Sequence, residues 1–347
     1  MSLASALKTG DLDQLPSRRD EGWRWTDLRG LIRQLPPASP PVAEVAANLD
    51  LSALKGPQYV YANGRLLHGT DLRIPAGGEA EIVRRFVSAT SGTSHQLKAP
   101  VELGQGARLL LVDSFEGQAE GYVASAHCCI RLAPGAVLER IVILDDAADA
   151  VSVALTEVEL SPGAVFRQTV LATGARRQRF ETHVRHMGGG ATATLDGVYL
   201  LSGPRQSDQT TRLVHEVVDG ASSQLIKGVV TDQARAVFQG GIVVARGADR
   251  TDARLGHHAL ILSDRAEVDA KPELEIYADD VACAHGNTVG ALDPEALFYI
   301  RSRGLPEPEA RALLIEAFLG EVVDRIGHVQ VHELARAWVA ARLGGMS

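Results

Sequence analysis

Cys283 and His285 stand two positions apart in the run VACAHGNTVG, residues 281–290. A thiolate and an imidazole so spaced suit a soft or borderline metal such as iron or zinc, or a nucleophile with its base. On an extended strand, residues i and i+2 share a face. Both side chains therefore point the same way, along with Val281, while Ala282 and Ala284 take the other side. Two ligands from one short strand leave a coordination sphere incomplete, so the missing ones must come from elsewhere in the chain or from another subunit. Packing of both side chains in a core is the competing reading, and on spacing alone it is the favoured one.

The other candidates are weaker. Cys128 and Cys129 are adjacent, so a regular strand cannot aim both at one metal, and they read as small hydrophobes in or near the core. The pairs His183/His186 and His257/His258 diverge for the same reason and read as structural or surface residues. Asp269, Glu275 and Asp280 offer carboxylates along one groove, as an enzyme acting on carbohydrate or acyl substrates requires. A run such as EVDAKPELEIYADD is more usually turn residues and solvent-facing acids. No G-x-x-x-x-G-K-[ST] loop is present, which excludes nucleotide hydrolysis through a phosphate loop of the chain's own. GQGARL at 104 lacks the third glycine of a dinucleotide fingerprint, and no G-x-S-x-G elbow occurs.

The elements that must position these residues fall into three regions of different texture. Residues 1–75 form an N-terminal helical and mixed α/β region, with a proline-rich connector near residue 40 and a strand turn at Asn63-Gly64. Residues 76–290 are short β-branched runs separated by Gly, Asp and Ser, with turn markers LAPGAV at 132, LSPGAV at 160, GGGATA at 188 and VDGASS at 218. Markers every 28 to 30 residues, without helical periodicity between them, predict stacked repeat units. Aromatic residues make up only 5% of the chain, which suits the narrow interior of a parallel β-helix better than a globular core. The predicted class is mainly β: a parallel β-helix flanked by the N-terminal region and a C-terminal helical domain, residues 291–347. There Asp293 caps a helix with Pro294 at its first position, and Gly304 ends it. The next helix places Ala310, Leu313, Leu314, Ala317, Phe318, Val322 and Ile326 on one face, and the last places Val331, Leu334, Ala335, Trp338 and Val339 together. Part of these faces is expected to seal the end of the solenoid, leaving the rest for a partner.

A formal net charge of −8 argues against nucleic-acid binding. Three cysteines, two of them adjacent, make no disulfide framework and suggest a reducing compartment. The charged N-terminus and the lack of a membrane-length apolar run predict a cytoplasmic protein away from membranes.

Residues 267–326 (EVDAKPELEIYADDVACAHG, then ALFYIRSRG and the helix after it) resemble the SufD family, scaffold subunits of the SufBCD complex that assembles iron–sulfur clusters. PSRRDEGWRWTDL at 16–28 and YANGRL at 61 are similar to its opening region and strand turn. The resemblance implies a right-handed parallel β-helix and a non-enzymatic role. It also implies pairing with a SufB-like β-helix subunit and docking of a SufC-like ABC-type ATPase through residues 294–326, among them Leu297, Phe298, Tyr299, Arg301, Arg303, Gly304, Leu314 and Phe318. It assigns His285 to the cluster-assembly interface, as a metal ligand or proton-handling group shared with the partner, and places Cys283 beside it in a less defined role. It implies no cofactor held stably by this chain alone and an iron–sulfur cluster passing transiently through the interface. Pairing of like β-helices when the natural partner is absent is a further expectation, which the sequence does not decide.

Overall fold

The computed structural model describes residues 2–343. The β-branched runs and glycine turns wind into a parallel β-solenoid of eight turns. Strands alternate between two facing sheets, one of ten strands and one of nine, each built almost wholly from every second strand of the solenoid. Val137 pairs with Val165, Val165 with Thr192, and Thr192 with Ala221, steps of 28, 27 and 29 residues along the chain. The marker spacing in the sequence is therefore the length of one turn of the solenoid.

The markers themselves form a stacked column. Gly77, Gly106, Gly135 and Gly163 all have φ between 65° and 68°. Each donates its N–H to a carbonyl in the turn above: Gln105, Pro134, Pro162 and Gly189, at 2.8–3.1 Å. Glycine holds this left-handed conformation without a Cβ clash. Two later positions of the column carry Asp219 (φ 60°) and Arg250 (φ 58°), joined to each other by an ion pair at 2.6 Å.

The solenoid starts upstream of residue 76. Gln58–Ala62 pairs in parallel with Glu79–Ser88, and Leu72–Ile74 with Val101–Leu103. Asn63 and Gly64, both at positive φ, turn Gln58–Ala62 back into the antiparallel strand Arg65–His68, the Asn-Gly hairpin turn that the sequence predicts. Inside, Val, Leu, Ile and Ala fill the lumen, and its few rings stack on one another, with Tyr61, Phe86 and Phe115 at centroid spacings of 5.0 and 4.8 Å.

Among the described residues, four α-helices flank the solenoid: α1 (Leu3–Thr9), α2 (Pro294–Ser302), α3 (Glu307–Val323) and α4 (Val329–Leu343). The N-terminal segment crosses the outer face of the nine-stranded sheet. Leu3, Ala6, Leu15 and Leu28 pack on Val123, Val151 and Val153. Trp23 lies 4.1 Å from the Arg179 guanidinium, and Thr26 bonds Asp208.

The C-terminal helices depart from expectation in two ways. They do not seal the end of the solenoid. They lie along its side, packing Ile315, Leu319, Val322, Trp338 and Val339 on the outward Val112, Ile141, Ile143, Val198 and Val229 of the ten-stranded sheet. The buried stripe of α3 is also rotated from the predicted one: Ala310 and Val322 are buried, as is Ile326 beyond the helix, but Leu313 and Ala317 are exposed, Leu314 and Phe318 half-buried, and Ile315 and Leu319 take the core positions. Apolar residues lie nearly all round this helix, so periodicity leaves its rotation undetermined and the Val/Ile surface of the sheet sets it. In α4, Val331, Ala335, Trp338 and Val339 are buried as expected, with Leu334 half-buried.

Because α3 and α4 cover a side, the C-terminal end of the solenoid is open. Glu267–Ile276 is the edge of the nine-stranded sheet and Val281–Gly290 the edge of the ten-stranded sheet.

Candidate functional site

Cys283 and His285 belong to this last strand. In the parallel register Cys283 follows Ser222 and Ala253, and His285 follows Gln224 and Leu255. These are interior columns, and a further turn of solenoid would bury both side chains. As the structure stands, Cys283 is half-buried against the core and His285 is exposed at the open mouth. Burial pushes the Cys283 thiol above its ordinary pKa, with the Asp252 charge adding to the rise and a hydrogen bond to the backbone of Ala253 opposing it. A cation or a partner surface that compensates the charge would favour the thiolate at this position.

Asn287 completes the row. Its Oδ1 lies 2.7 Å from Nδ1 of His257 on the preceding turn, and His257 Nε2 lies 2.9 Å from the hydroxyl of Tyr199. A carbonyl oxygen only accepts, so Nδ1 carries the proton and Nε2 accepts from Tyr199. Burial lowers the His257 pKa to about 4, and its ring is stacked 4.7 Å from that of Phe238. A neutral imidazole therefore anchors Asn287 beside His285. The isolated pattern of adjacent histidines did not reveal this, because only the register brings Asn287 over His257.

The strand has a second property. VACAHGNTVG contains no Asp, Glu, Lys, Arg or Pro, the residues that usually protect an edge from pairing with another chain. The companion edge, EVDAKPELEI, carries five charged residues and Pro272.

The residues expected to dock an ATPase divide between two environments. Asp293 caps α2 through a hydrogen bond to the Glu295 N–H at 2.9 Å, and Gly304 follows its end at φ 98°. No residue of α2 is buried. Phe298 is 74% and Tyr299 59% exposed, Arg303 stacks 5.0 Å over the Tyr299 ring, Arg301 pairs with Glu307 at 3.1 Å, and Gly304 is exposed. Leu297 and Leu314 are half-buried, and Phe318 is held under Lys227 at 4.5 Å.

The carboxylates of an enzymatic groove do not come together. Asp269 and Glu275 are six residues apart on one extended strand, about 20 Å at the usual rise, against roughly 5–10 Å between glycosidase carboxylates. Asp269 is neutralised by Arg235 at 2.6 Å, and Asp280 lies in the turn beyond. Extension along a strand is what separates acids that are close in sequence.

Of the remaining candidates, His183 is half-exposed beside Glu181, while His186 is buried with its Nδ1 3.2 Å from Nδ1 of His215. His258 is half-buried and bonds Thr288. Cys128 is buried, its Sγ 3.0 Å from the Ala99 carbonyl. Cys129 differs from the hydrophobic reading: it faces outward, 3.4 Å from His127 Nε2. Alternation along the strand requires this of one of any two neighbours.

Comparison with known proteins identifies the family. Residues 86–318 match the family model described as SUF system FeS cluster assembly, SufBD core domain. The chain is 29% identical to the iron–sulfur cluster assembly protein SufD of Escherichia coli, over 99% of this chain and 92% of that protein. It is 27% identical to an iron–sulfur cluster assembly SufBD family protein of Mycobacterium tuberculosis over 96% and 90% of the two chains, and 36% identical to Bacillus subtilis SufD over 36% and 28%. The matched region spans most of the solenoid, the open edge and α2 into α3, and with it the chain belongs to the SufBD family of SUF-system iron–sulfur cluster assembly proteins.

Proposed function

We propose that this protein is a non-enzymatic scaffold subunit in the cytoplasm, one half of a composite site on which an iron–sulfur cluster is assembled. The observation that carries the reading is the uncapped last strand: a charge-free, proline-free edge bearing Cys283, His285 and the anchored Asn287 on its inward face. Such an edge is a template for strand pairing with another chain. A SufB-like solenoid docked there would bury the imidazole and the thiol and supply the ligands that one strand lacks. Iron and sulfide are the cargo of this site. In the absence of that partner the same edge favours pairing of like chains.

The exposed α2 is the docking element for a SufC-like ATPase. Only three residues, 291–293, separate the edge strand from α2. Movement imposed on α2 by nucleotide-driven association of two ATPase copies therefore reaches the strand that holds Cys283 and His285 through a short tether.

The test is His285→Ala in the complex reconstituted with its SufB-like and SufC-like partners. The variant complex is expected to assemble and hydrolyse ATP as before, with iron and sulfide loading reduced at least about tenfold, the loss that even an outer partner of a metal ligand causes. Normal loading would remove the histidine from the site.

A further inference from the structure

A second constellation lies far from the open end, on the outer face of the nine-stranded sheet where the N-terminal segment does not reach. His127 and Cys129 share the outward face of the strand Val123–Leu132, and Glu157 pairs in register with Cys129 from the neighbouring strand Val151–Leu160. His127 Nε2 lies 2.6 Å from Glu157 Oε2, Cys129 Sγ lies 3.4 Å from the same nitrogen, and Sγ lies 3.9 Å from the carboxylate. One nitrogen, one sulfur and one oxygen donor thus converge, and this is the one group of three potential ligands that meets so closely among the described residues.

The geometry points to a site for a borderline divalent cation, which we infer to be zinc, held by His127, Cys129 and Glu157 with its fourth position open to solvent. Tetrahedral zinc with ordinary bond lengths needs donor separations of about 3.4 Å between nitrogen and oxygen and about 3.6 Å from sulfur to either. The sulfur distances already bracket that value, and the nitrogen–oxygen pair has to open by about 0.8 Å, a rotation of two part-exposed side chains. The backbone need not move, because ladder hydrogen bonds of two adjacent parallel strands hold all three Cα atoms. Thiolate, carboxylate and neutral imidazole together carry two negative charges, which the cation cancels. Binding forms three coordinate bonds and releases the thiol proton to water.

Lys98 stands in register beside His127 and His183 beside Glu157, and the other charged neighbours are turned to partners of their own. Arg131 is directed to Glu159 at 3.2 Å, and Glu181 is held by Arg179 at 2.8 Å. His127 and Glu157 meet across adjacent strands, and the outward Cys129 adds a sulfur donor within 3.9 Å of both.

The test uses the untagged full chain and metal alone. Cobalt titrated into the wild-type protein is expected to give a thiolate-to-cobalt charge-transfer band at one ion per chain, displaced by zinc. Cys129→Ala should lose the band and weaken zinc binding by at least about tenfold, while Cys283→Ala retains both. Circular dichroism confirms that the variants fold. Absence of the band in the wild type, its survival in Cys129→Ala, or its loss in Cys283→Ala alone overturns the assignment. The readouts on Cys129→Ala involve neither His285 nor cluster loading, whereas loss of the band in Cys283→Ala alone would place the metal at the open end, so the two sites are told apart.

Discussion

Asp113 shows how much of this molecule depends on single side chains that the hydrophobic pattern does not announce. It is fully buried in the lumen and accepts from two guanidiniums, Arg84 at 2.7 Å and Arg140 at 2.7–2.8 Å. Arg140 continues the chain to Thr156 and Gln168, and Gln168 to Thr182. The two arginines hold the Asp113 carboxyl below its ordinary pKa despite its burial. Replacing Asp113 by Ala leaves two desolvated cations without their counter-charge, which costs about 3–5 kcal/mol by analogy with other broken buried pairs. Urea unfolding should show a loss of that size in Asp113→Ala. A loss under about 0.5 kcal/mol, the range of ordinary surface substitutions, would mean that water reaches the pair. Sequence reading placed Cys283 and His285 on one face because alternation is local. It did not find Asp113, Arg140, Asn287 or the outward Cys129–His127–Glu157 group, because each is defined by a register spanning 26 to 32 residues.

The helices and the edge strand divide the work differently from what composition suggests. A capping aspartate, a first-turn proline and a following glycine delimit α2 from local signals alone, and the structure agrees with them. The packing direction of α3 was not legible, since an all-round apolar helix has no preferred side until a sheet is offered to it. With α3 and α4 committed to the side of the solenoid, α2 is left without a buried residue, and its Phe298 and Tyr299 are large apolar groups facing water. Exposed aromatics of this kind serve as binding anchors. The double variant Phe298→Ala/Tyr299→Ala should weaken association with the SufC-like ATPase by at least about 30-fold, a hot-spot loss of about 2 kcal/mol. Its melting temperature should match the wild type. Unchanged affinity in a pull-down titration would place the docking surface elsewhere. These point changes suit the question better than removing residues 294–326, which would strip Ile315, Leu319 and Val322 from the sheet they cover.

Across the molecule, buried histidines give stability a predictable slope with pH. Burial lowers His95, His186, His215 and His257 from an ordinary 6.5 to about 4. The unfolded chain binds these protons first, so stability is complete above pH 6.5 and falls as the pH drops towards 4, by up to about 3 kcal/mol per independent group. His186 and His215 touch and count as one coupled pair. Asp196, raised to about 6 by burial against the opposing charge of Arg325, works the other way: its protonated form is favoured in the fold, and it returns part of the loss between pH 6 and 4. The net expectation is a melting temperature nearly constant from pH 8 to 7 and decreasing from 6.5 to 4.5. A flat or rising curve over the lower interval would show that these imidazoles are hydrated. No helix of the described residues is long and apolar enough to cross a membrane. Repeat length, turn chemistry, strand alternation and the caps of α2 could all be read from the chain because each is set by a few neighbouring residues or by a recurring period. Which face α3 buries, which end of the solenoid stays open and which distant side chains meet were settled by packing between sheets and helices. Those contacts join segments whose distance in the sequence carries no local signal.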